Sequence, residues 1–229
     1  MNWTVVIPLK DETDSIGTQV LLLRQFGINE VAVAVDSKST EAAIGEAIAV
    51  GARVIEVPPG HKGLAGIYRY ALGICAAEQR SDVIVEMDAG GSHSAIDIVK
   101  FIDAFTNKPD LDVVFARRFG SLAKYNAKLR RKLLSLGGTV LTNLLDYPFS
   151  YKKWWSDATS GYIAYRTSAL QQILNFPQIS NGYYYQTEIR RNARKLNLNT
   201  LEVPITFNGS SSSLKFKDIF EALKLAVNN

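Results

Sequence analysis

The stretch Val83-Ile-Val-Glu-Met-Asp-Ala-Gly-Gly-Ser-His93 decides how this chain is read. Val83 to Met87 is a short, largely β-branched and apolar run that suits a strand buried on both faces. A carboxylate, a glycine pair and two polar residues follow at once. A strand opening into an acidic loop is the pattern of a parallel sheet that gathers its polar residues at the carboxyl ends of its strands. The alternation continues outward in both directions. Before it, Gly63 to Glu78 is patterned as a helix, Arg53 to Val57 as a strand, Thr40 to Val50 as a helix and Val31 to Val35 as a strand. Asp14 to Phe26 places Ile16, Val20, Leu23 and Phe26 at helical spacing with Gly27 closing the helix, and Thr4 to Pro8 is the first strand, its ladder expected to stop at Pro8. After it come a helix at Ala95 to Phe105 and a strand at Leu111 to Ala116. Strands alternating with helices of this length predict an α/β fold, a doubly wound and mostly parallel sheet with helices on both faces.

The rhythm changes after residue 112. Lys124 to Leu145 reads as one long basic helix interrupted at Gly137-Gly138, followed by the aromatic and lysine-rich loop Tyr147 to Trp155. A strand at Tyr162 to Tyr165, a helix near Gln186 to Leu196, a strand at Thr200 to Val203 and an amphipathic helix at Phe216 to Val227 are expected beyond it. No internal repeat or long linker appears, so 1–229 reads as one domain in two functional halves.

Composition narrows the class. The chain has 229 residues, 47% apolar and 21% charged, which excludes disordered and fibrous proteins. One cysteine, Cys75, excludes a disulfide framework and a multi-cysteine zinc site, and its apolar helix face marks it as core. Met1-Asn2-Trp3-Thr4 lacks the layout of a signal peptide, and no run of eighteen apolar residues occurs, so a cytoplasmic protein without a membrane span is expected. Residues 1–112 hold nine Lys/Arg against sixteen Asp/Glu, while 113–229 hold seventeen against six, so a modest net charge conceals two halves of opposite sign. Val113 to Leu145 has seven basic residues and no acid, which suggests an anionic partner. Nucleic acid ranks last among such partners, because the basic helix lacks interleaved aromatics.

Three expected strand ends carry carboxylates: Asp11-Glu12, Asp36 and Asp88. Their convergence on one rim predicts a ligand site. The absence of Gly-x-Gly-x-x-Gly after the first strand, and of a P-loop, argues against dinucleotide enzymes and P-loop NTPases. His61 and His93 are expected as polar loop residues, too far apart in sequence to suggest a metal pair.

These residues resemble a known family. Val5-Val-Ile-Pro-Leu-Lys-Asp-Glu12 is similar to the V-I-P-x-x-N-E opening of family 2 inverting glycosyltransferases, and Val35-Asp-Ser-Lys-Ser-Thr-Glu-Ala-Ala43 to their V-D-D-G-S-T-D-G-T. The stretch 83–93 resembles V-x-x-M-D-A-D-x-S-H. Pro58 to Tyr68 with Lys62-Gly-Leu, Arg131-Lys-Leu-Leu-Ser-Leu-Gly, Asp157-Ala-Thr-Ser-Gly-Tyr162, Gly182-Tyr-Tyr-Tyr-Gln-Thr-Glu188 and Glu202-Val-Pro-Ile-Thr-Phe207 extend the resemblance, in order, to the dolichol-phosphate mannosyltransferase branch.

The resemblance implies a GT-A fold and a nucleotide-sugar donor of the GDP-mannose or UDP-glucose type, bound by Pro8, Asp11, Glu12, Asp36, Lys62 and Asp88. It implies transfer of the hexose, with inversion, to a polyprenyl or dolichyl phosphate held by Arg117, Arg131 and Ser135. Asp88, Gln186 and Glu188 are the implied catalytic set. A divalent cation, Mg or Mn, would take Asp88 as its first ligand, with Gly90 and Ser92 at the other two positions. The chemistry is coherent: carboxylates accept hydrogen bonds from base N–H and ribose hydroxyls, and a phosphate acceptor needs cationic anchoring rather than a strong base. A membrane surface is a further implied partner, for which the Tyr147 to Trp155 loop and the terminal helix are the candidate contacts.

The departures all touch donor phosphates or metal. Ser37 stands for the second Asp of V-D-D, Gly90 for the second Asp of D-A-D, and Ile163 for an Arg. The stretch after Phe207 is short by about three residues and puts Ser213 where a Lys is usual. Two alternatives stay open: a related transferase with a non-lipid acceptor, and a descendant that binds nucleotide sugar or lipid phosphate with weakened turnover.

Overall fold

The computed structural model describes residues 1–61, 63–180, 182 and 184–209. Lys62, the Ser210 to Ser213 run and the helix expected at Phe216 to Val227 lie outside the described residues. The elements in order are β1 (Trp3–Leu9), α1 (Thr13–Gln25), β2 (Glu30–Val35), α2 (Glu41–Ala49), β3 (Arg53–Glu56), α3 (Gly63–Glu78), β4 (Val83–Glu86), α4 (Ile98–Asn107) and β5 (Val113–Arg117). They continue with β6 (Lys124–Asn126), α5 (Leu129–Asp146), β7 (Ile163–Arg166), α6 (Thr167–Asn175), α7 (Tyr185–Lys195), β8 (Thr200–Pro204) and β9 (Thr206–Asn208).

One sheet runs β3-β2-β1-β4-β7-β5-β8, and a second pairs β6 with β9. In the large sheet only β7 is antiparallel to its neighbours, β4 and β5. Side chains on its strands alternate between two helical layers, as period-two geometry requires. Val5, Ile7, Val33 and Val85 pack with α1, α2 and α4, while Val6, Ala32, Ala34 and Ile84 pack with α3, α6 and α7. Both faces are covered, which explains why the strands read as continuous apolar runs. Cys75 is buried in the second layer as expected, and burial pushes its thiol up to about 12.

Local signals act as read in the first half. Gly27 takes a positive φ of 82°, and its N–H and that of Ile28 return to the carbonyls of Arg24 and Leu23, closing α1. Thr40 caps α2 by accepting the Ala43 N–H at 3.3 Å. Pro8 ends the ladder on one side only. Pairing to β4 stops at Val6, whereas pairing to β2 runs through Pro8 to Leu9. The Met87 N–H bonds the Val6 carbonyl, so alternate residues of β1, Pro8 included, face β4, where the missing N–H falls.

The second half corrects two expectations. Lys124 to Asn126 is a strand rather than the start of the basic helix: it pairs with Thr206–Asn208, and buried Tyr125 packs edge-on to Phe119 and Phe207. Tertiary pairing overrides the local helical pattern there. The helix that follows is unbroken through Gly137-Gly138. A Cβ at Gly138 would lie 3.2 Å from Thr159 Cγ2, so that glycine allows α5 to approach the 157–161 loop. Helix α6, which the apolar pattern did not signal, fills the space between α3 and α7.

Candidate active site

The loops after β1, β2 and β4 meet on one rim. Thr40 N–H donates to the Lys10 carbonyl at 2.7 Å and Ser39 Oγ to the Leu9 carbonyl at 2.5 Å, which ties the first two loops together. Glu12 Oε2 accepts the N–H groups of Lys10 (2.7 Å) and Asp11 (3.1 Å), while Asp11 itself is exposed. Asp36 Oδ1 accepts the Lys38 N–H at 2.9 Å, and Pro8 lies half-buried at the floor of this rim. The third loop is held from α1, where Ser15 Oγ and Gln19 Nε2 both donate to the Ala89 carbonyl.

Asp88, after β4, keeps a side chain 34% exposed on the rim. Tyr68 Oη on α3 lies 3.4 Å from its Oδ1. His93, expected as a polar turn residue, is instead buried: its ring stacks on Tyr162 and meets Phe207 edge-on. The Asp88 backbone N–H donates to His93 Nδ1 at 3.2 Å, so that nitrogen carries no proton. Burial also lowers the imidazole's affinity for a proton, and the 3.6 Å approach of Nδ1 to Asp88 Oδ2 is a contact of a neutral ring rather than an ion pair.

Gly90 is exposed, with nothing within 4 Å of where a Cβ would stand, and the Ser92 side chain is half-buried beside it. Among the described residues no group of three His, Cys, Asp or Glu side chains could hold a metal ion. A hard cation needs several oxygens, so a donor set with Asp88 as its single carboxylate does not fit a tightly held one.

The 92–93 loop is joined to the second half through β9. Asn208 N–H donates to the Ser92 carbonyl at 2.9 Å, and His93 forms a bridge with Phe207. The guanidinium of Arg118 lies 5.2 Å and that of Arg131 4.8 Å from the centre of the Phe207 ring. Phe207, the last residue of Glu202-Val-Pro-Ile-Thr-Phe207, thus brings the Asp88 loop and two arginines to one place.

In the sequence Arg118 is one of the seven basic residues between Val113 and Leu145, and Asp157 is part of a motif. Together they form a buried bidentate pair, with Nε to Oδ2 at 2.7 Å and Nη2 to Oδ1 at 2.9 Å, and the Arg118 N–H adds a third bond at 2.9 Å. Burial pushes the Asp157 carboxyl up, but the Arg118 guanidinium beside it reverses this and holds it below the usual range. Arg118 also reaches Thr159 Oγ1 at 2.6 Å and Tyr125 Oη at 3.3 Å, and Tyr125 Oη lies 3.0 Å from Ser135 Oγ. The Asp and Thr of Asp157-Ala-Thr-Ser-Gly-Tyr162 were the available signal, since a short acid–hydroxyl motif is suited to gripping an arginine.

Of the other singled-out residues, Arg117 donates to the carbonyls of Phe119 (2.6 Å) and Ser121 (3.0 Å), holding the turn after β5. Gln186 is buried against Gly161, where a Cβ would come within 2.7 Å of its Nε2. Glu188 is buried two residues further along α7. It accepts the N–H groups of Ile179 (2.7 Å) and Ser180 (3.2 Å) and pairs with Arg69 at 3.1 Å. In the 147–155 loop, Trp155 packs on Phe115 in the core, whereas Phe149 and Tyr151 are exposed.

Comparison with known proteins agrees with the fold. No protein-family model matches the chain. Glucosyl-3-phosphoglycerate synthase from Mycobacterium tuberculosis, solved with Mn2+, uridine diphosphate and phosphoglyceric acid, superposes over 99% of this chain and 76% of that one, with a TM-score of 0.71 and 15% identity. Its complex with phosphoglyceric acid alone gives a TM-score of 0.73. The fold of this chain is therefore of the GT-A type. By sequence it is similar to an undecaprenyl-phosphate mannosyltransferase and a polyprenol monophosphomannose synthase. It is 29% identical to undecaprenyl-phosphate mannosyltransferase of Micrococcus luteus over 218 residues, covering 90% of this chain and 84% of that protein. It is 32% identical to polyprenol monophosphomannose synthase of Mycolicibacterium smegmatis over 125 residues, 55% of this chain and 45% of that protein. The motif series predicts the same likeness.

Proposed function

We propose that this chain transfers a hexose from a nucleotide sugar, of the GDP-mannose or UDP-glucose type, to a polyprenyl phosphate with inversion. One observation carries the reading: β9 joins the Asp88 loop to Arg131, whose guanidinium lies over Phe207, so a carboxylate rim for the donor adjoins a cation for a phosphate. The relatives in Micrococcus and Mycolicibacterium support that acceptor class by name.

In this reading Pro8, Asp11, Glu12 and Asp36 line the base and ribose pocket, with Lys62 as a further donor contact, and Asp88 faces the sugar and diphosphate. The acceptor phosphate sits near Arg131 and the Tyr125–Ser135 pair, with Arg117 shaping the turn beside it. Its oxygen forms the new bond to the anomeric carbon from the face opposite the diphosphate. The bond from that carbon to the diphosphate breaks with its electron pair, and a single displacement inverts the centre. The phosphate is already ionised, so no strong base is needed. Catalysis then rests on alignment, which Glu188 serves from α7 by fixing the backbone at Ile179 and Ser180, and Gln186 by packing against Gly161.

Asp88 would be the single carboxylate ligand of a divalent cation here, and the reading routes no step through a metal. The acceptor is a lipid, which places the enzyme peripherally at a membrane surface. Among the described residues no helix is long and apolar enough to cross one.

The test is transfer of labelled sugar from each common donor to polyprenyl phosphate dispersed in detergent, with Mn2+ and with a chelator. Lipid-extractable label from one donor is the expected result. No transfer from any donor, by protein whose melting temperature rises with a nucleotide sugar, would leave a binder and overturn the transferase reading.

A further inference from the structure

Helix α5 carries its polarity the opposite way to an ordinary surface helix. Its inward face is polar: Ser135, Thr139, Thr142 and Asn143 are buried. Thr139 Oγ1 accepts the Ala158 N–H at 3.0 Å, Thr142 Oγ1 donates to the Gly138 carbonyl at 2.8 Å, and the Asn143 amide exchanges two bonds with the Trp155 backbone at 2.8 and 2.9 Å. Its outward face is apolar. Leu129 (70% exposed), Leu133 (59%), Leu136 (45%), Val140 (39%) and Leu144 (46%) recur at spacings of four, three, four and four residues, which is one stripe along the helix. Past the helix end, Phe149 is 98% exposed and Tyr151 73% exposed. Single exposed leucines are ordinary, but a continuous stripe of this length marks an interaction surface.

Charge identifies what it meets. Lys128 and Arg130 at the start of the helix, and Lys152 and Lys153 beyond its end, are exposed. No acidic residue stands between Val113 and Leu145, and Asp146 is paired with Arg191 at 2.8 Å. Two copies meeting through this face would bring like charges together at both ends, which disfavours self-association. We propose that α5 and the 149–153 segment dock on an anionic lipid bilayer. The leucine-rich stripe would lie in the plane of the interface, the lysines and Arg130 among the headgroups, and Phe149 and Tyr151 at the boundary. Ser135 on the opposite face of α5 touches the Tyr125–Arg118 cluster, so a docked helix sets that cluster beside the membrane from which a lipid phosphate comes. In this respect the inference rests on the lipid-acceptor reading and locates the surface that reading requires.

Co-sedimentation of the full chain tests it, with vesicles of equal parts phosphatidylglycerol and phosphatidylcholine compared with phosphatidylcholine alone. Binding to the anionic vesicles that weakens with salt is expected. Leu133→Ser with Leu136→Ser should reduce it by about tenfold or more at an unchanged melting temperature, and Lys152→Ala with Lys153→Ala should also reduce it by about tenfold. Absence of binding by the unaltered protein would overturn the proposal, as would binding that both variants retain. A dimer seen by light scattering and dispersed by the leucine substitutions would overturn it in favour of a second copy. The leucine variant should keep transfer to a short-chain acceptor in detergent and lose it to a long-chain acceptor in vesicles. Vesicle binding without transfer to either acceptor by the unaltered protein supports the docking face and counts against the lipid-acceptor reading alone.

Discussion

At the carboxyl ends of β1, β2 and β4 the acidic side chains stay within reach of solvent, whereas around α5 and α7 many charges of the second half turn inward. Asp11 is exposed, and Glu12, Asp36 and Asp88 are partly so, held mainly by turns of their own loops. Arg118 and Asp157 are sealed together, Glu188 is committed to Arg69 and two backbone N–H groups, and Arg190 is fully buried on the carbonyls of Ala116, Ser160 and Gln186. A strongly positive half-chain is therefore not a surface full of available cations. Among the described residues much of its charge shapes the loops that face the rim, while Lys128, Arg130, Lys152 and Lys153 along and beyond α5 stay exposed.

The sharpest break of that comparison is Arg118→Met. Removing one partner leaves the Asp157 carboxylate buried and unpaired, and the expected loss is about 3–5 kcal/mol of folding stability. Urea unfolding measures it, and a loss below about 1 kcal/mol would show that the pair is structurally idle. On the other side of the comparison, Asp88→Asn removes a carboxylate that little else depends on. Transfer activity should fall about a hundredfold or more while the melting temperature changes little. Activity within a few-fold of the unaltered protein would remove Asp88 from the site.

Gly90→Asp sharpens the comparison by adding an acid to the open rim. The side chain has free space there, so a fold change is not expected. Mn2+ should then stimulate transfer about tenfold more than in the unaltered protein, and an unchanged metal response would mean that the second carboxylate plays no part. The smallest effect is in acid. Asp157 is held below its ordinary value of 3.8 in the folded chain, so its contribution is present above that pH and is lost as the pH falls through the depressed value. The stability gap between the unaltered protein and Asp157→Asn should narrow as thermal melts are taken from pH 6 to below about 3.8. A gap that does not move with pH would refute the linkage.

The first half was legible because its signals are local. Apolar runs on β1, β2 and β4 need only burial on both faces, Gly27 and Thr40 end and begin helices through their own backbone and side chain, and Asp36 and Asp88 fall on the rim because strands end where they do. The second half was less legible because its residues answer to distant partners. Lys124 to Asn126 follows a helical pattern yet pairs with Thr206–Asn208, and Tyr125 gains more from burial between Phe119 and Phe207 than from a further helical turn. His93 reads as a loop residue until Tyr162 and Phe207 close over it.

The sequence alone, then, determined the alternation of strands and helices, the placing of acids at strand ends and the family likeness carried by short motifs. All of these depend on residues adjacent in the chain or one helical turn apart. Tertiary structure decided which charges are spent inside the fold, that Phe207 joins the Asp88 loop to Arg118 and Arg131, and that α5 turns its apolar face outward. Each of those depends on contacts between segments far apart in sequence, where burial and pairing outweigh local preference.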